Sequence, residues 1–292
     1  MMPLDQIQAF LSGPGLVAML VVLGLGIGVL TGLFGVGGAF LVNPILIVAV
    51  GINEPLVIGS SLSFTIGAAA TGAARHARSS NIDLRSTLII GLGAVLGAVL
   101  GADLLTRLQA ALEPLSFRAL VRALYCALLL LTAWVVLRSG RQHYSGKSLL
   151  QRLPLPPHVD LRGTGLTSVS LPGLVLIGLI IGVITGLLGI GGGVLLVPLL
   201  LLVGMTTHKA VGTSLGVVLF SSVAGTIKHA LNGNVSLIIV MSMLVGSSVG
   251  VQIGAAICEK LHARKLRRYF AGIVLLAAVM TAAGLANILL RN

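Results

Sequence analysis

Long runs of apolar residues recur along the whole chain, separated by short polar or basic segments. Each run has about 18 to 22 residues, which is enough to cross a hydrocarbon core of about 30 Å as a helix. The runs predict membrane-spanning helices near residues 16–34, 56–74, 87–106, 118–138, 172–189, 210–228, 236–257 and 266–290. Two shorter apolar pieces, at 40–51 and 194–204, are compatible either with re-entrant segments or with short tilted spans. The pattern predicts an all-α polytopic membrane protein with about 8 to 10 membrane segments.

The apolar pattern is repeated within the chain. Residues 24–44 read GLGIGVLTGLFGVGGAFLVNP and residues 178–198 read GLIIGVITGLLGIGGGVLLVP, with 13 of 21 positions identical. Strict alternation of the crossings places the two copies in opposite orientations. Inverted repeats are typical of secondary transporters, in which two similar halves exchange conformations around a central site. We therefore predict an N-terminal membrane repeat (1–138), a polar cytoplasmic linker (139–170) and a C-terminal membrane repeat (171–292).

Composition excludes a water-soluble fold. The chain is 56% hydrophobic with a mean hydropathy of +1.09, and only 9% of its 292 residues are charged, against about 25% in soluble domains. The net charge of +12 is spread over short loops, which indicates membrane orientation and argues against nucleic acid as a partner.

Loop charges orient the chain, because Lys and Arg concentrate on the cytoplasmic side. A cytoplasmic position for the loop at 75–85 also places the linker, Lys209 and the basic stretch 260–268 inside, and both termini outside. Residues 1–12 contain no Lys or Arg. They therefore lack the basic region of a signal peptide, and the first apolar run is expected to be retained.

Glycine-rich segments interrupt an apolar run at the same place in each copy. Glycine tolerates the dihedral angles of a broken helix, and irregular backbone at membrane depth usually faces a cavity or protein. The helix that restarts after each break directs free N–H groups towards that cavity, which favours a small anion. The candidate substrate-binding glycines are Gly35, Gly37, Gly38, Gly189, Gly191, Gly192 and Gly193. The alternative is that these glycines only permit close helix crossing.

The doubled motif resembles the sulfite exporter TauE/SafE family of membrane permeases. The resemblance is carried by the segments 31–44 and 185–198, together with the Gly-Ser-Ser and Gly-Thr-Ser sequences at 59–61 and 212–214. It implies a bacterial-type inner-membrane transporter of small anions, often sulfur oxyanions or organosulfonates. Two departures occur in the first copy, where Ala39 replaces the last glycine and Asn43 precedes Pro44.

Polar side chains within the apolar runs are further candidates, because unpaired polar groups in hydrocarbon are costly and tend to line pathways. Four hydroxyl residues at equivalent positions could donate to an oxyanion: Ser60, Ser61, Thr213 and Ser214. Serine also bonds to its own helix or serves as a small packing residue. Asn43 could bond either a ligand or a carbonyl group freed by Pro44.

Two basic pairs, Arg75-His76 and Lys228-His229, end equivalent helices of the two copies. They are candidates for gating or for proton coupling, since bases at each mouth attract anions and histidine titrates near neutral pH. The alternative is that they snorkel to the membrane interface. Asp103 has no acidic counterpart in the second copy and is either a coupling carboxylate or an interfacial residue. Glycines at 93, 97 and 101, and at 246, 250 and 254, are expected to pack helices together.

No catalytic, nucleotide-binding or metal-ligand motif is present in the sequence, so we expect no enzyme activity, metal or cofactor. Cys126 and Cys258 are isolated and are expected to be core residues. The predicted function is a secondary carrier that moves a small anion across a bacterial-type cell membrane by alternating access. An anion channel and a non-transporting membrane scaffold are the alternatives. The lipid bilayer is an expected partner, and assembly into a homo-oligomer is compatible with the sequence.

Overall fold

A computed structural model describes residues 13–139, 156–161 and 166–290. These residues contain the ten α-helices α1 (Pro14–Phe34), α2 (Ala39–Pro44), α3 (Glu54–Arg78), α4 (Leu84–Ala111), α5 (Pro114–Ser139), α6 (Leu171–Leu188), α7 (Gly193–Val203), α8 (Thr207–Leu231), α9 (Leu237–Lys260) and α10 (Ala263–Leu290). Eight of them are long and apolar enough to cross a membrane, and α2 and α7 are shorter. The prediction of an all-α polytopic membrane protein is confirmed.

The two short helices follow the glycine breaks. Helix α2 continues into a π-helical turn, Ile45–Ala49, directly after Pro44, whose missing N–H interrupts the regular hydrogen-bond pattern. Helix α7 has 11 residues and contains Pro198 at the equivalent place. At 1.5 Å per residue, each piece is about 16 Å long, roughly half of the hydrocarbon thickness.

Glycines hold two pairs of parallel helices in close contact. A side-chain carbon added to any of these glycines would overlap the backbone of the neighbouring helix. The contacts between α1 and α9 are Gly24–Met243, Gly28–Ser247 and Gly32–Val251, and those between α6 and α4 are Gly178–Ile90, Gly182–Ala94 and Gly186–Ala98. The reciprocal glycines on α4 and α9, at 93, 97, 101, 246, 250 and 254, contact α6 and α1 in the same way. The predicted packing role of these glycines is confirmed.

Helices α3 and α8 are antiparallel and are the most buried of the eight long helices. The backbone N–H of Asp83, after α3, donates to the Thr213 hydroxyl near the start of α8 at 3.0 Å. The N–H of Ser236, after α8, donates to the Ser60 hydroxyl near the start of α3 at 2.8 Å. Each end of this central pair therefore combines the end of one helix with the beginning of the other.

We name the two ends of the bundle after one acidic residue at each. The Glu259 end contains the end of α3, the start of α8 and the end of α9, and the Asp103 end contains the start of α3, the end of α8 and the last turns of α4. Helix α1 is parallel to α9 and runs towards the Glu259 end, whereas α6 is parallel to α4 and runs towards the Asp103 end. The two halves of the chain thus begin at opposite ends of the bundle.

The outer surface of the bundle is apolar. On α4, Leu92, Leu96 and Leu100 are each more than half exposed, at the four-residue spacing of one helix face. Such a face is stable in lipid and unfavourable in water. Cys258 is buried, as expected, and Cys126 is only partly buried.

A short antiparallel β-hairpin precedes α6 and was not predicted from the sequence. Its strands are β1 (His158–Leu161) and β2 (Leu166–Ser170), with Val159 opposite Val169. Strands of four or five residues are too short to give a clear alternating pattern. The predictions concerning residues 1–12 and most of the linker at 139–170 lie outside the described residues.

Candidate functional site

Each glycine break has the same backbone geometry. Gly35, Gly37 and Gly38 have φ angles of 71°, 75° and 78°, and Gly189, Gly191 and Gly192 have φ angles of 66°, 78° and 69°. The first glycine of each break ends its helix in the left-handed conformation, and its N–H donates to the oxygen of Thr31 or Thr185 at 2.8 Å. Only glycine adopts a run of such dihedrals at low cost. The duplicated glycines are therefore a requirement of the break itself.

The two breaks lie against each other in the interior of the protein. A side-chain carbon on Gly193 would be 2.6 Å from the oxygen of Gly35. Thr65 of α3 lies between the breaks, since its methyl group would be 2.7 Å from a carbon added to Gly37 and 3.2 Å from one added to Gly191. The Thr65 hydroxyl lies 3.0 Å from the oxygen of Gly37 and 2.7 Å from that of Ser61 in its own helix. All of these residues are buried, so the structure brings the predicted glycines into one site.

Two predicted serines donate to carbonyl groups that the breaks leave without a helical partner. The Ser61 hydroxyl of α3 is shared between the oxygen of Gly189 at 3.3 Å and that of Ile58 in its own helix at 3.0 Å. Ser214 of α8 donates to the oxygen of Gly35. Each serine belongs to one half of the chain and the carbonyl group of the break to the other half. The serines therefore join the halves at the breaks, where backbone groups in hydrocarbon must be satisfied within the protein.

Asn43 of α2 also reaches across to the other half. Its Nδ2 donates to the oxygens of Leu188 and Gly189, at 2.8 and 3.3 Å. Of the two roles that the sequence left open, a carbonyl contact is observed, although the carbonyl groups belong to the other repeat rather than to the turn before Pro44. Its Oδ1 is buried without a hydrogen-bond partner among the described residues.

The other two predicted hydroxyl residues occupy a different place. The hydroxyls of Ser60 and Thr213 accept hydrogen bonds from the backbone N–H groups of Ser236 and Asp83. They contact the segments that precede α9 and α4, whereas the serines next to them contact the breaks. The structure does not bring these two hydroxyls together with the glycines.

The two predicted histidines are fully buried and equivalent in position. Nε2 of His76 is 3.2 Å from the oxygen of Gly32, and Nε2 of His229 is 2.9 Å from the oxygen of Gly186. Each histidine thus joins a central helix to the helix that leads into a break. In both rings Nδ1 has no partner among the described residues.

The basic residues beside these histidines form ion pairs at opposite ends of the bundle. Arg75 of α3 lies 3.6 Å from Glu259 of α9, and Lys228 of α8 lies 2.8 Å from Asp103 of α4. These four side chains are about one third to two fifths exposed. Each pair connects a helix of one half to a helix of the other.

A second contact accompanies each ion pair. Ser79 donates to Glu259 at 2.5 Å, and Asn232 donates to the Thr106 hydroxyl at 2.9 Å. In the repeat, Ser79 is equivalent to Asn232 and Thr106 is equivalent to Glu259. Sequence reasoning did not single out Glu259, because its partner on α3 is 184 positions away and the corresponding residue in the other copy is a threonine.

A buried charged cluster was also not predicted. Glu54, which is only 2% exposed, lies 2.9 Å from Arg122 and 3.6 Å from Arg118. Glutamate is rare in this chain, which has seven acidic residues in total. The sequence feature that could have indicated this cluster is a glutamate at the start of a long apolar helix. Among the residues that the structure describes, no group of three His, Cys, Asp or Glu side chains is arranged to hold a metal ion.

Comparison with known proteins matches this chain to membrane transporter proteins. A probable membrane transporter protein of Bacillus subtilis, YjnA, is 29% identical over 261 residues, which cover 89% of this chain and 97% of the relative. A probable membrane transporter protein of Methanocaldococcus jannaschii is 26% identical over 273 residues, covering 89% of this chain and 92% of the relative.

A third relative, the sulfite exporter TauE/SafE family protein 1 of Arabidopsis thaliana, is 34% identical over 116 residues, covering 38% of this chain and 26% of the relative. No solved structure matches the chain. The model of the family described as Sulfite exporter TauE/SafE matches residues 20–281. The chain therefore belongs to the sulfite exporter TauE/SafE family of membrane transporter proteins.

Proposed function

We propose that this membrane transporter is a secondary carrier that moves a small anion by alternating access. The anion binds between the two glycine breaks, where the backbone N–H groups of Gly37, Gly38, Gly191 and Gly192 and the hydroxyls of Ser61 and Ser214 supply donors. A ligand can shift the protein from one conformation to the other only if its binding free energy differs between the two.

The contact between the two breaks is the observation that supports this proposal most strongly. Each break belongs to a different half, and Ser61 and Ser214 donate across the boundary to Gly189 and Gly35. A relative movement of the halves must therefore rearrange these hydrogen bonds. An anion that enters between the breaks would accept the hydrogen bonds that these hydroxyl groups otherwise donate to the carbonyl groups.

The ion pairs at the two ends are proposed to act as gates. Both the Arg75–Glu259 and the Lys228–Asp103 pairs are formed in the structure, and each joins the two halves. Opening the bundle at one end separates one pair and leaves the other intact. Partly exposed ion pairs contribute only about 0.2–1 kcal/mol, which is a suitable strength for a contact that must break in every cycle.

The Glu259 end is proposed to face the cytoplasm of a bacterial-type cell. Arg78, Arg85, Lys209 and Lys260 lie in segments at this end, and basic residues concentrate on the cytoplasmic side. This orientation places both termini outside. For the substrate we propose a sulfur oxyanion or an organosulfonate, because the matching family is described as a sulfite exporter.

The test is anion flux into proteoliposomes, with sulfite, thiosulfate, a small sulfonate and a small carboxylate as separate probes. We expect flux of at least one probe, and its loss when Gly191 is replaced by valine. Gly51→Val is the matched control, because Gly51 also has a left-handed φ of 80° but has no neighbour within 4 Å of an added carbon. No flux of any probe, or equal flux in both variants, contradicts the proposal.

A further inference from the structure

Three buried polar atoms on one side of α8 have no hydrogen-bond partner among the described residues. They are the hydroxyl oxygens of Ser222 and Thr226 and Nδ1 of His229. Residues spaced by three and four positions lie on the same side of a helix. Other hydroxyls of the central helices, such as those of Ser63 and Ser221, donate to carbonyl groups of their own helix. Because a buried polar group without a partner is costly, the three atoms need an explanation.

This side of α8 connects the glycine breaks to the Asp103 end. Val218, one turn before Ser222, is 3.0 Å from a carbon added to Gly37 of the first break. His229 lies in the last turn of α8. The seven positions from Ser222 to His229 correspond to about 10 Å along the helix. We name Ser222, Thr226 and His229 the polar face of α8.

The other half of the chain shows that the fold does not require these hydroxyls. In the repeat, Ser222 and Thr226 are equivalent to Ala69 and Ala73 of α3. The histidine, in contrast, occurs in both halves, as His76 and His229. Only α8 therefore combines the buried histidine with hydroxyls on the same side of the helix.

The ring of His229 has one nitrogen that is able to take up a proton. Its Nε2 is 2.9 Å from the oxygen of Gly186, so Nε2 carries the hydrogen and Nδ1 of the neutral ring has a free lone pair. A protonated ring would leave its Nδ1–H without an acceptor among the described residues. Uptake of a proton at Nδ1 therefore requires that the bundle open enough for water or the Thr226 hydroxyl to reach this nitrogen.

The charged residues at this end are either exposed or paired with one another, so the ring of His229 is not part of an ion pair. Helix α6, which supplies Gly186, contains no ionisable residue. Glu54 contacts two arginines of α5, and Asp103 contacts Lys228. Arg107 and Glu113 are exposed. The ionisable residues at this end of α3, α4, α5 and α8, apart from His229, are Glu54, Asp103, Arg107, Glu113, Arg118, Arg122 and Lys228.

We propose that His229 binds a proton during the transport cycle and that the polar face of α8 conducts this proton between the Asp103 end and the breaks. When the Asp103 end opens, Nδ1 takes up one proton from water. The hydroxyls of Thr226 and Ser222 then each accept one hydrogen and donate their own, which moves the proton to the breaks. It leaves to water when the Glu259 end opens, and Nδ1 regains its lone pair. Resting on the proposed function, this makes the protein a proton–anion symporter.

The experiment measures the accumulation of radiolabelled thiosulfate and methanesulfonate in proteoliposomes that are more alkaline inside. Both anions are fully ionised near neutral pH, so neither carries a proton by itself. Valinomycin and potassium hold the membrane potential at zero. With one proton per anion, a gradient of about one pH unit should give about tenfold accumulation by the wild-type protein.

His229→Gln should abolish this accumulation but retain exchange of the anion in the absence of a pH gradient, because exchange needs no net movement of protons. Glutamine keeps an N–H donor for the oxygen of Gly186. His76→Gln is the matched control. His76 makes the same kind of contact with Gly32 but has alanines instead of hydroxyls beside it, so this variant should still accumulate the anion.

The two hydroxyls are tested separately. Ser222→Ala and Thr226→Ala should each slow uptake driven by the pH gradient several-fold. Ser221→Ala is the matched control, because Ser221 donates to the oxygen of Val218, and its uptake should equal that of the wild-type protein. Since the hydroxyls of Ser222 and Thr226 have no partner among the described residues, their removal should not lower the melting temperature, which separates slower uptake from unfolding.

Exchange without any effect of the pH gradient, or equal accumulation in the two histidine variants, would overturn the proton site and leave the proposed carrier intact. If neither anion is transported, the nitrogen-15 spectrum of His229 in lipid nanodiscs decides. Protonation of Nδ1 at about pH 5, below the ordinary histidine pKa of about 6.5, supports the site. A ring that remains in the neutral Nε2–H form overturns it. Protonation of Nδ1 without flux of any anion supports the site and refutes the proposed function.

Discussion

Buried hydroxyl and amide side chains satisfy the backbone where the two apolar runs break. Ser61, Ser214 and Asn43 each donate to a carbonyl group of the opposite half. The sequence identified these side chains as polar groups at membrane depth, but it did not identify their acceptors, which lie more than 120 positions away. The sequence also did not predict that Ser60 and Ser61 have different roles, because it does not show which neighbours the adjacent residues of a helix face.

The contribution of Ser214 is testable by removing its hydroxyl. Ser214→Ala leaves the buried oxygen of Gly35 without this donor, so we expect the free energy of unfolding to fall by about 1–3 kcal/mol. Ser248→Ala is the control, because Ser248 is exposed and donates within its own helix to Leu244, and such a change is usually worth less than about 0.5 kcal/mol. Thermal unfolding of both variants in the same detergent provides the comparison. Equal melting temperatures would show that the contact between the halves adds nothing.

At the scale of helices, the apolar pattern predicted the ten helices of the described residues, and the glycine spacing predicted which faces pack closely. The pattern did not give every helix start. Helix α4 begins at Leu84, three residues earlier than its apolar run, because Asp83 caps it by accepting from the N–H of Ser86 at 3.0 Å. The pairing of α1 with α9 and of α6 with α4 also required the structure, since small-residue spacing does not specify the partner helix.

Helix α1 offers an internal test of the glycine contacts. A carbon on Gly28 would lie 2.7 Å from the backbone of Ser247, whereas Gly26 has no atom within 4 Å of this position. Gly28→Val should therefore lower the free energy of unfolding by about 1–3 kcal/mol or more, while Gly26→Val, with the same change in helix propensity, should be tolerated. The fraction of monodisperse protein after heating in detergent reports the difference. If both variants behave alike, the close approach of α1 and α9 is incorrect.

At the scale of the whole molecule, the two halves begin at opposite ends and meet at the breaks. The repeat and the alternation of crossings led us to expect opposite orientations of the two halves, whereas the ion pairs at the ends were not expected. Arg75 and Lys228 were identified as equivalent bases, but Glu259 and Asp103 are not at equivalent positions. Glu259 and Asp103 form their ion pairs because the fold brings α9 next to α3 and α4 next to α8.

Opening of the Glu259 end can be followed with a native cysteine. Cys258 is fully buried beside Glu259, so a thiol reagent reaches it only when the helices around the end of α9 move apart. Glu259→Gln should increase the labelling rate of Cys258, by at most about fivefold for a partly exposed pair. Asp103→Asn, which weakens the opposite end, should leave the rate unchanged or lower it. Site-resolved mass spectrometry distinguishes Cys258 from Cys126, and an equal increase in both variants would show that the two ends do not alternate.

Exchange transport tests alternating access most directly. Proteoliposomes preloaded with unlabelled sulfite should take up radiolabelled sulfite several-fold faster than empty ones, because a carrier that returns with a bound anion bypasses the slower return of the empty site. Gly191→Val should abolish this stimulation and Gly51→Val should retain it. Rapid sulfite flux that is independent of internal sulfite would contradict the account and identify the protein as a channel.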